Sequence, residues 1–416
     1  MFRMINPIQD YAWGSTAAFS ELFGWAESTT PQAEIWMGSH AKAPSQLVEG
    51  SGELPRLDTH LSEHPQQLGT WQHSGTTLPF LLKILAVATP LSIQVHPSRE
   101  QARSGFAAEE RRGTDLKAPQ RNYVDTNHKP ELIVALTRFS ALCGFRDPRQ
   151  TLRDLTALQE IVAAQVTSDD DETVQAVQTL SRHLQNGETR AALRASLQDC
   201  AEELGHAAKL LAATDLRAHQ ASLAPQSLDT VERITATFPG DPGLFVALML
   251  NRRDLEPGQA LFLPSGSLHA YLGGVGVEIM ANSDNVLRGG LTSKHVDVPE
   301  LLRVAASDVV EQQLLEPDAS TPHQHIYHTP AEEFSLRRID FPDSGLHHEV
   351  RDSGPAIAVC TAGTVTAGQM LLSAGESVFI PAGEPTDFSG AAAQLFIATA
   401  PSATSAGIPG QHGDPA

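Results

Sequence analysis

The nine residues Gly258-Gln-Ala-Leu-Phe-Leu-Pro264-Ser-Gly266 are matched position for position by Gly375-Glu-Ser-Val-Phe-Ile-Pro381-Ala-Gly383. In both copies a short apolar strand enters on a glycine. It ends on a proline, which cannot donate to a β-ladder, and turns on a second glycine. A pattern repeated this closely constrains the chain to two antiparallel units of jelly-roll type. The first copy continues to His269, five residues past its proline, whereas the second has Thr386 at that place. A metal is therefore expected in the first unit alone.

Between these β segments the hydrophobic period changes. Residues 78–97 read as two strands around a turn at Thr89-Pro90, and Glu131-Leu-Ile-Val-Ala-Leu136 as a third. From about 148 to 236 apolar residues recur at helical spacing, for example Leu152, Leu155, Leu158 and Val162, then Val174, Val177, Leu180 and Leu184. Gly187 is placed to end one helix, and Asp229 to lie in the first turn of another. From 244 strand character returns, in Leu244–Leu250, Ala260–Leu263, Ala356–Val359 and Ser377–Ile380. The expected fold is mainly β with an α-helical insert: two jelly-roll β units plus a helical domain. Residues 1–146 and 244–310 form the first unit, 147–243 the insert and 311–400 the second unit. The Ser-, Ala-, Gly- and Pro-rich stretch 401–416 is an expected disordered tail.

The 416 residues carry a net charge of −20, which speaks against nucleic acid or an anionic membrane as partner. No apolar run is long enough to span a bilayer, and the amino terminus lacks the apolar core of a signal peptide. Only Cys143, Cys200 and Cys360 are present, an odd and scattered set that fits a reducing cytoplasm. Cys143, among apolar neighbours, reads as a buried structural thiol. No phosphate-binding glycine loop, dinucleotide fingerprint or nucleophile elbow occurs.

Gln94 and His96 flank Val95, so on a strand their side chains share a face. Glu131 opens the strand after Asn127-His-Lys-Pro130, and His269 follows the Pro-x-Gly turn. Two imidazoles, a carboxylate and an amide oxygen suit zinc or a similar divalent ion and leave room for water or substrate. His323, His325 and His328, in what reads as a linker, and His347-His348, at a hairpin edge, have metal-like spacing but read as solvated. The segment Gly276 to Lys294 adds Glu278, Asp284, Arg288 and Lys294 to otherwise weakly polar sequence. The chain has only six lysines, and Lys83, Lys129 and Lys294 sit inside apolar or motif-like stretches.

A series of these segments, taken in order, resembles the zinc-dependent type I mannose-6-phosphate isomerases (phosphomannose isomerases), a cupin-like family. It comprises Tyr11-Ala-Trp-Gly-Ser15, Ala33-Glu-Ile-Trp-Met-Gly-Ser-His40, Pro79-Phe-Leu-Leu-Lys-Ile-Leu85, Leu91-Ser-Ile-Gln-Val-His-Pro97, Asn127-His-Lys-Pro-Glu131, Ala141-Leu-Cys-Gly-Phe-Arg146 and Pro264 onward through Asp297. The resemblance implies one zinc ion held by Gln94, His96, Glu131 and His269. It implies interconversion of mannose 6-phosphate and fructose 6-phosphate by proton transfer between C1 and C2 through a cis-enediol. Arg288 would lie in the cleft, lined by Lys129, Tyr271, Glu278, Asp284 and Lys294. Trp13 would line the pocket, and Ser92 and Lys294 would grip phosphate with Lys83 nearby. A cytoplasmic monomer acting on a small phosphorylated sugar, in carbohydrate metabolism leading to GDP-mannose, is the corresponding expectation.

Proton abstraction next to a carbonyl needs a base and stabilisation of the developing oxyanion. Glu278 and Asp284 are both candidates for the base, with His128 or a zinc-bound water the candidates for ring opening. Two readings compete: a jelly roll that binds sugar phosphate without catalysis, and a non-haem metal oxygenase. Gln94 as a fourth ligand and the Arg288/Lys294 pair speak against the oxygenase, which needs open iron positions and no phosphate grip.

Overall fold

The computed structural model describes residues 1–48, 54–73, 75–166, 171–306 and 314–401. The expected disordered tail therefore lies, past Pro401, outside the described residues. Two ten-stranded antiparallel assemblies dominate, with a group of helices between Pro148 and Ala247. The fold is mainly β, with two jelly-roll units and a helical insert.

One strand organises the first unit. His269–Ala281 begins against Gln94 and the strand Phe139–Phe145, and ends between Phe80–Val87 and Glu131–Ala135. Register shifts between Tyr271 and Gly273, where the strand passes from one sheet to the other. Gly274 makes the passage possible. Its φ is +118°, and a Cβ there would stand 2.6 Å from the Arg138 carbonyl oxygen. One strand thus carries His269 in one sheet and Glu278 in the other.

The central strands of the first unit are buried on both faces, and successive side chains enter two different core layers. Leu85, Val87, Ile133, Ala141, Leu263 and Tyr271 fill the interior of the first unit. The opposite face of its larger sheet, with Leu82, Ile84, Leu132, Val134 and Val277, meets Ile357, Val359, Phe379 and Phe396 of the second unit in one continuous cluster. The outer face of the smaller sheet, with Leu142, Phe145, Leu268 and Ala270, is covered by the helices. Pro148–Ala163 starts on an Asp147 side-chain cap, and Glu172–Gln185 starts on Asp171 and ends before Gly187 at φ +74°.

Four local expectations are amended. Leu244–Leu250 is not a strand: Gly243–Ala247 is a short helix buried on every side, and the strand runs Leu250–Leu255. An unbroken apolar run has no period by which to tell the two apart. Asp229 lies beyond the first turn of helix Pro225–Thr237, where it pairs with Arg233 and Arg252 instead of capping. The histidine-rich "linker" is partly a strand, Gln324–Tyr327, in which His325 contacts Asp340 at 3.0 Å. Finally, Phe2–Ile5 does not stay with the unit that follows it. It pairs with Ser377–Ile380, and Gln46–Val48 pairs with it in turn, so the second unit's sheet is completed by the amino terminus.

Gly274→Ala should destabilise the protein by about 3 kcal/mol, from left-handed strain plus the carbonyl contact. Urea unfolding of the variant checks this; a change below about 1 kcal/mol would show that the strand can cross between sheets without glycine.

Candidate metal centre and active cleft

His96, Glu131 and His269 converge at the end of the first unit, with their ligand atoms all within 4.8 Å of one another. Each arrives from a different strand end. His96 follows the two-residue strand Gln94–Val95, Glu131 opens Glu131–Ala135, and His269 opens the long strand. Gln94 is the register partner of His269, and so stands beside the same group. All three convergent residues are buried.

The histidines are oriented from behind. His96 Nδ1 donates to the Asn285 carbonyl at 2.7 Å, and His269 Nδ1 to the Ser267 carbonyl at 3.0 Å. Each Nε2 therefore keeps its lone pair and faces Glu131, at 3.4 Å from His96 and 3.3 Å from His269. His96 Nε2 is buried without a hydrogen-bond partner. Burial pushes the His96 imidazolium down to about 4, so the ring is neutral at physiological pH. Burial alone would raise Glu131, but Lys129, His96 and His269 hold it well below the usual carboxylate range. A neutral His96 imidazole with an orphaned nitrogen, a second imidazole and an ionised carboxylate make a donor set that suits a divalent metal.

Asn285 is the hidden support of this arrangement. Fully buried, its side chain accepts from the backbone of Val124 and donates to the Asp125 and Asn127 carbonyls. Asp125 in turn accepts from Ser283 and from the Asp284 backbone. The segment 282–285 is thereby nailed to 124–127, and its carbonyl is aimed at His96.

Next to the metal ligands runs a buried chain of charges. Lys83 lies opposite Glu278 across the sheet and contacts it at 3.2 Å; it reaches Glu34 at 3.2 Å on its other side. Tyr271 donates to Glu278 at 2.9 Å. Burial would lower Lys83, but the two carboxylates raise it above its ordinary value. Burial raises Glu278, opposed by Lys83. Lys83 is thus already neutralised inside the protein, which argues against the expected place beside a phosphate.

The other expected residues divide into two groups. Arg288 donates to Ser92 at 2.6 Å, and Lys294 is lowered first by the nearby Arg288 charge and then by burial, with Lys42 a lesser cause. Among the described residues neither Arg288 nor Lys294 makes an ion pair. Trp13 is half-buried, stacks on Tyr11 and packs against the interior cluster containing Tyr271. Asp284 sits 2.9 Å from Lys42 and 3.4 Å from His40. Burial raises it, yet His40 and Lys42 hold it well below the ordinary carboxylate range. His128 is not aimed at the metal ligands. Its Nε2 donates to Glu333 at 2.6 Å.

Sequence reading missed Glu34, Lys42, Asp125, Asn285 and Glu333. A carboxylate inside the apolar strand Glu34–Met37 was a usable signal for the first. The others stand in polar segments where nothing local marks them.

The model for the phosphomannose isomerase type I catalytic domain matches residues 1–148. Mannose-6-phosphate isomerase of Escherichia coli K12 is 37% identical over 395 residues, spanning 92% of this chain and 95% of that protein. This chain belongs to the type I phosphomannose isomerase family. The human mannose-6-phosphate isomerase is 32% identical, over 93% of this chain and 96% of its own length. A crystal structure of mannose 6-phosphate isomerase bound with zinc and yttrium superposes with a TM-score of 0.82 at 33% identity, covering 96% of this chain and 99% of that one. A phosphomannose isomerase variant from Salmonella typhimurium gives 0.83 at 33% identity over the same shares. Family membership thus rests on nearly the whole chain, second unit included.

The depressed Asp284 carboxyl has a stability consequence. A group whose folded value lies below its unfolded value stabilises above the unfolded value, near 4, and loses that contribution as pH falls through the folded value. The stability difference between the metal-free wild type and Asp284→Asn should be present at pH 6 and shrink below about pH 4. A difference independent of pH over that range would contradict the pairing with Lys42 and His40.

Proposed function

We propose that this chain interconverts mannose 6-phosphate and fructose 6-phosphate, with one zinc ion held by Gln94, His96, Glu131 and His269. The observation that carries the metal assignment is the buried, unpartnered His96 Nε2 facing an ionised Glu131. When bound, zinc would supply electrophilic stabilisation to a developing enediolate oxygen or orient a water. The rest of the chemistry belongs to side chains.

Arg288 and Lys294 are two neighbouring cations without a carboxylate partner among the described residues, in a chain of net charge −20. A sugar phosphate dianion relieves their mutual repulsion, and the Ser92 hydroxyl, already bonded to Arg288, adds a donor. Of the two carboxylates left open as the base, Glu278 is favoured. Burial raises it towards the working range of a general base, while Asp284 is held as a permanent anion by Lys42 and His40. Tyr271 and Lys83 each contact a different Glu278 oxygen and hold the carboxylate in place. Lys129, bonded to Glu131 at 2.9 Å, keeps that ligand ionised. The catalytic unit on this reading is 1–146 with 244–310, apart from the strands lent to the second unit. Three free cysteines fit a reducing cytoplasm, and the net charge of −20 speaks against nucleic-acid or anionic-membrane partners.

A coupled isomerisation assay before and after chelation, with zinc add-back, tests the reading. Activity should vanish and return, and Glu131→Ala should lose bound zinc and activity together; turnover that survives without metal would refute the zinc assignment. Glu278→Gln should lower kcat by roughly 10²–10⁴-fold with zinc content normal, and Asp284→Asn far less. Lys294→Ala should raise KM by roughly tenfold with kcat little changed. Equal losses in the two carboxylate variants would reopen the choice of base.

A further inference from the structure

The second unit carries no part of the proposed chemistry, but it sends one carboxylate into the first. Glu333 is 3% exposed, and it directly precedes Phe334, buried in the shared core, at the entry to the second unit's strand Ser335–Phe341. Its Oε1 accepts from His128 Nε2 at 2.6 Å and also from Arg99. Arg99 opens the helix that starts three residues after His96, and His128 stands three residues before Glu131. One buried oxygen thus ties together the chain segments that deliver two of the three convergent ligands. The adjoining Lys129 extends the tie directly to Glu131, at 2.9 Å.

The other Glu333 oxygen, Oε2, is buried without a hydrogen-bond partner among the described residues. Leaving a carboxylate oxygen unpaired costs stability, so a residue kept only to brace the two units would be poorly chosen here. The opposite side of the Asn127–Pro130 segment is already fixed by Asn285 and by the Ala281 backbone. Glu333 supplies the remaining restraint.

We propose that Glu333 is a positioning residue, through which the second unit sets the spacing of His96 and Glu131 and so the zinc affinity of the first. The inference rests on His96, Glu131 and His269 being the metal ligands. Supports beyond the ligands themselves commonly change metal affinity by 10- to 100-fold, and a tie one residue further out belongs at the low end.

The test is zinc competition with a chromophoric chelator on the full chain, alongside thermal unfolding of the metal-free form. Glu333→Ala should bind zinc about tenfold more weakly and Glu333→Gln by an intermediate amount. Glu384→Ala, which removes the second unit's ion pair with the Met1 amino group, should match wild type. Zinc affinity within twofold of wild type in both Glu333 variants, even with a lowered Tm, would reduce Glu333 to a structural brace and overturn the inference. If Glu333→Ala does not fold, Glu333→Gln decides alone. A wild type that binds no zinc, or a Glu131→Ala variant that binds as tightly as wild type, would overturn the metal site and this inference with it.

Discussion

A carboxylate buried as deeply as Glu131 stays charged only if the fold surrounds it with partners, and the first unit is organised around meeting that condition. Lys129 neutralises it from its own segment, while His96 and His269 face it from two other strand ends. Breaking such a buried set by removing one partner typically costs about 3–5 kcal/mol. The geometry of the remaining residues follows from it. The Pro-x-Gly turn brings His269 in, Asn285 turns His96, and the tie through His128 holds the segment that carries Lys129. A stable anion facing two lone pairs in a protected space is, in turn, what a divalent cation needs.

The second buried charge system shares this environment but is tuned the other way. Lys83 lies between Glu34 and Glu278, so that carboxylate pair holds a single internal cation and Glu278 is raised, not lowered. Two carboxylates a few strand positions apart thereby have opposite surroundings, Glu131 held well below the usual carboxylate range and Glu278 raised. The charged residues nearer solvent make a third environment, in which Arg288 and Lys294 have no carboxylate partner among the described residues while Asp284 is occupied by Lys42. On the proposed reading, these three electrostatic surroundings would give metal binding, proton transfer and anion binding their separate places.

These places are fixed by strands with two different neighbours. His269–Ala281 spans both sheets of the first unit, and the back of the larger sheet is buried against the second unit. The amino-terminal strand closes the second unit's sheet, so neither unit is a contiguous piece of chain. A cleft built at such a junction is stiffened from behind by the shared core and from the side by the helices.

Much of this was legible in the sequence because it is local. The Gly…Pro-x-Gly echo disclosed two jelly-roll units, helical spacing disclosed the insert, and Gln94, His96, Glu131 and His269 stood at readable strand ends. The helix at Gly243–Ala247 was misread because burial on all sides erases the period that separates helix from strand. His128 and Lys83 were legible as chemical groups but not as placed ones, since their partners Glu333, Glu34 and Glu278 come from distant strands. Fold class, family and the types of group near the metal ligands follow from residue order alone. Only the tertiary structure decided which carboxylate is neutralised, which histidine faces the ligands and which unit receives the first strand. Those outcomes depend on strand register and burial between segments far apart in the chain, and local residue pattern carries no information about either.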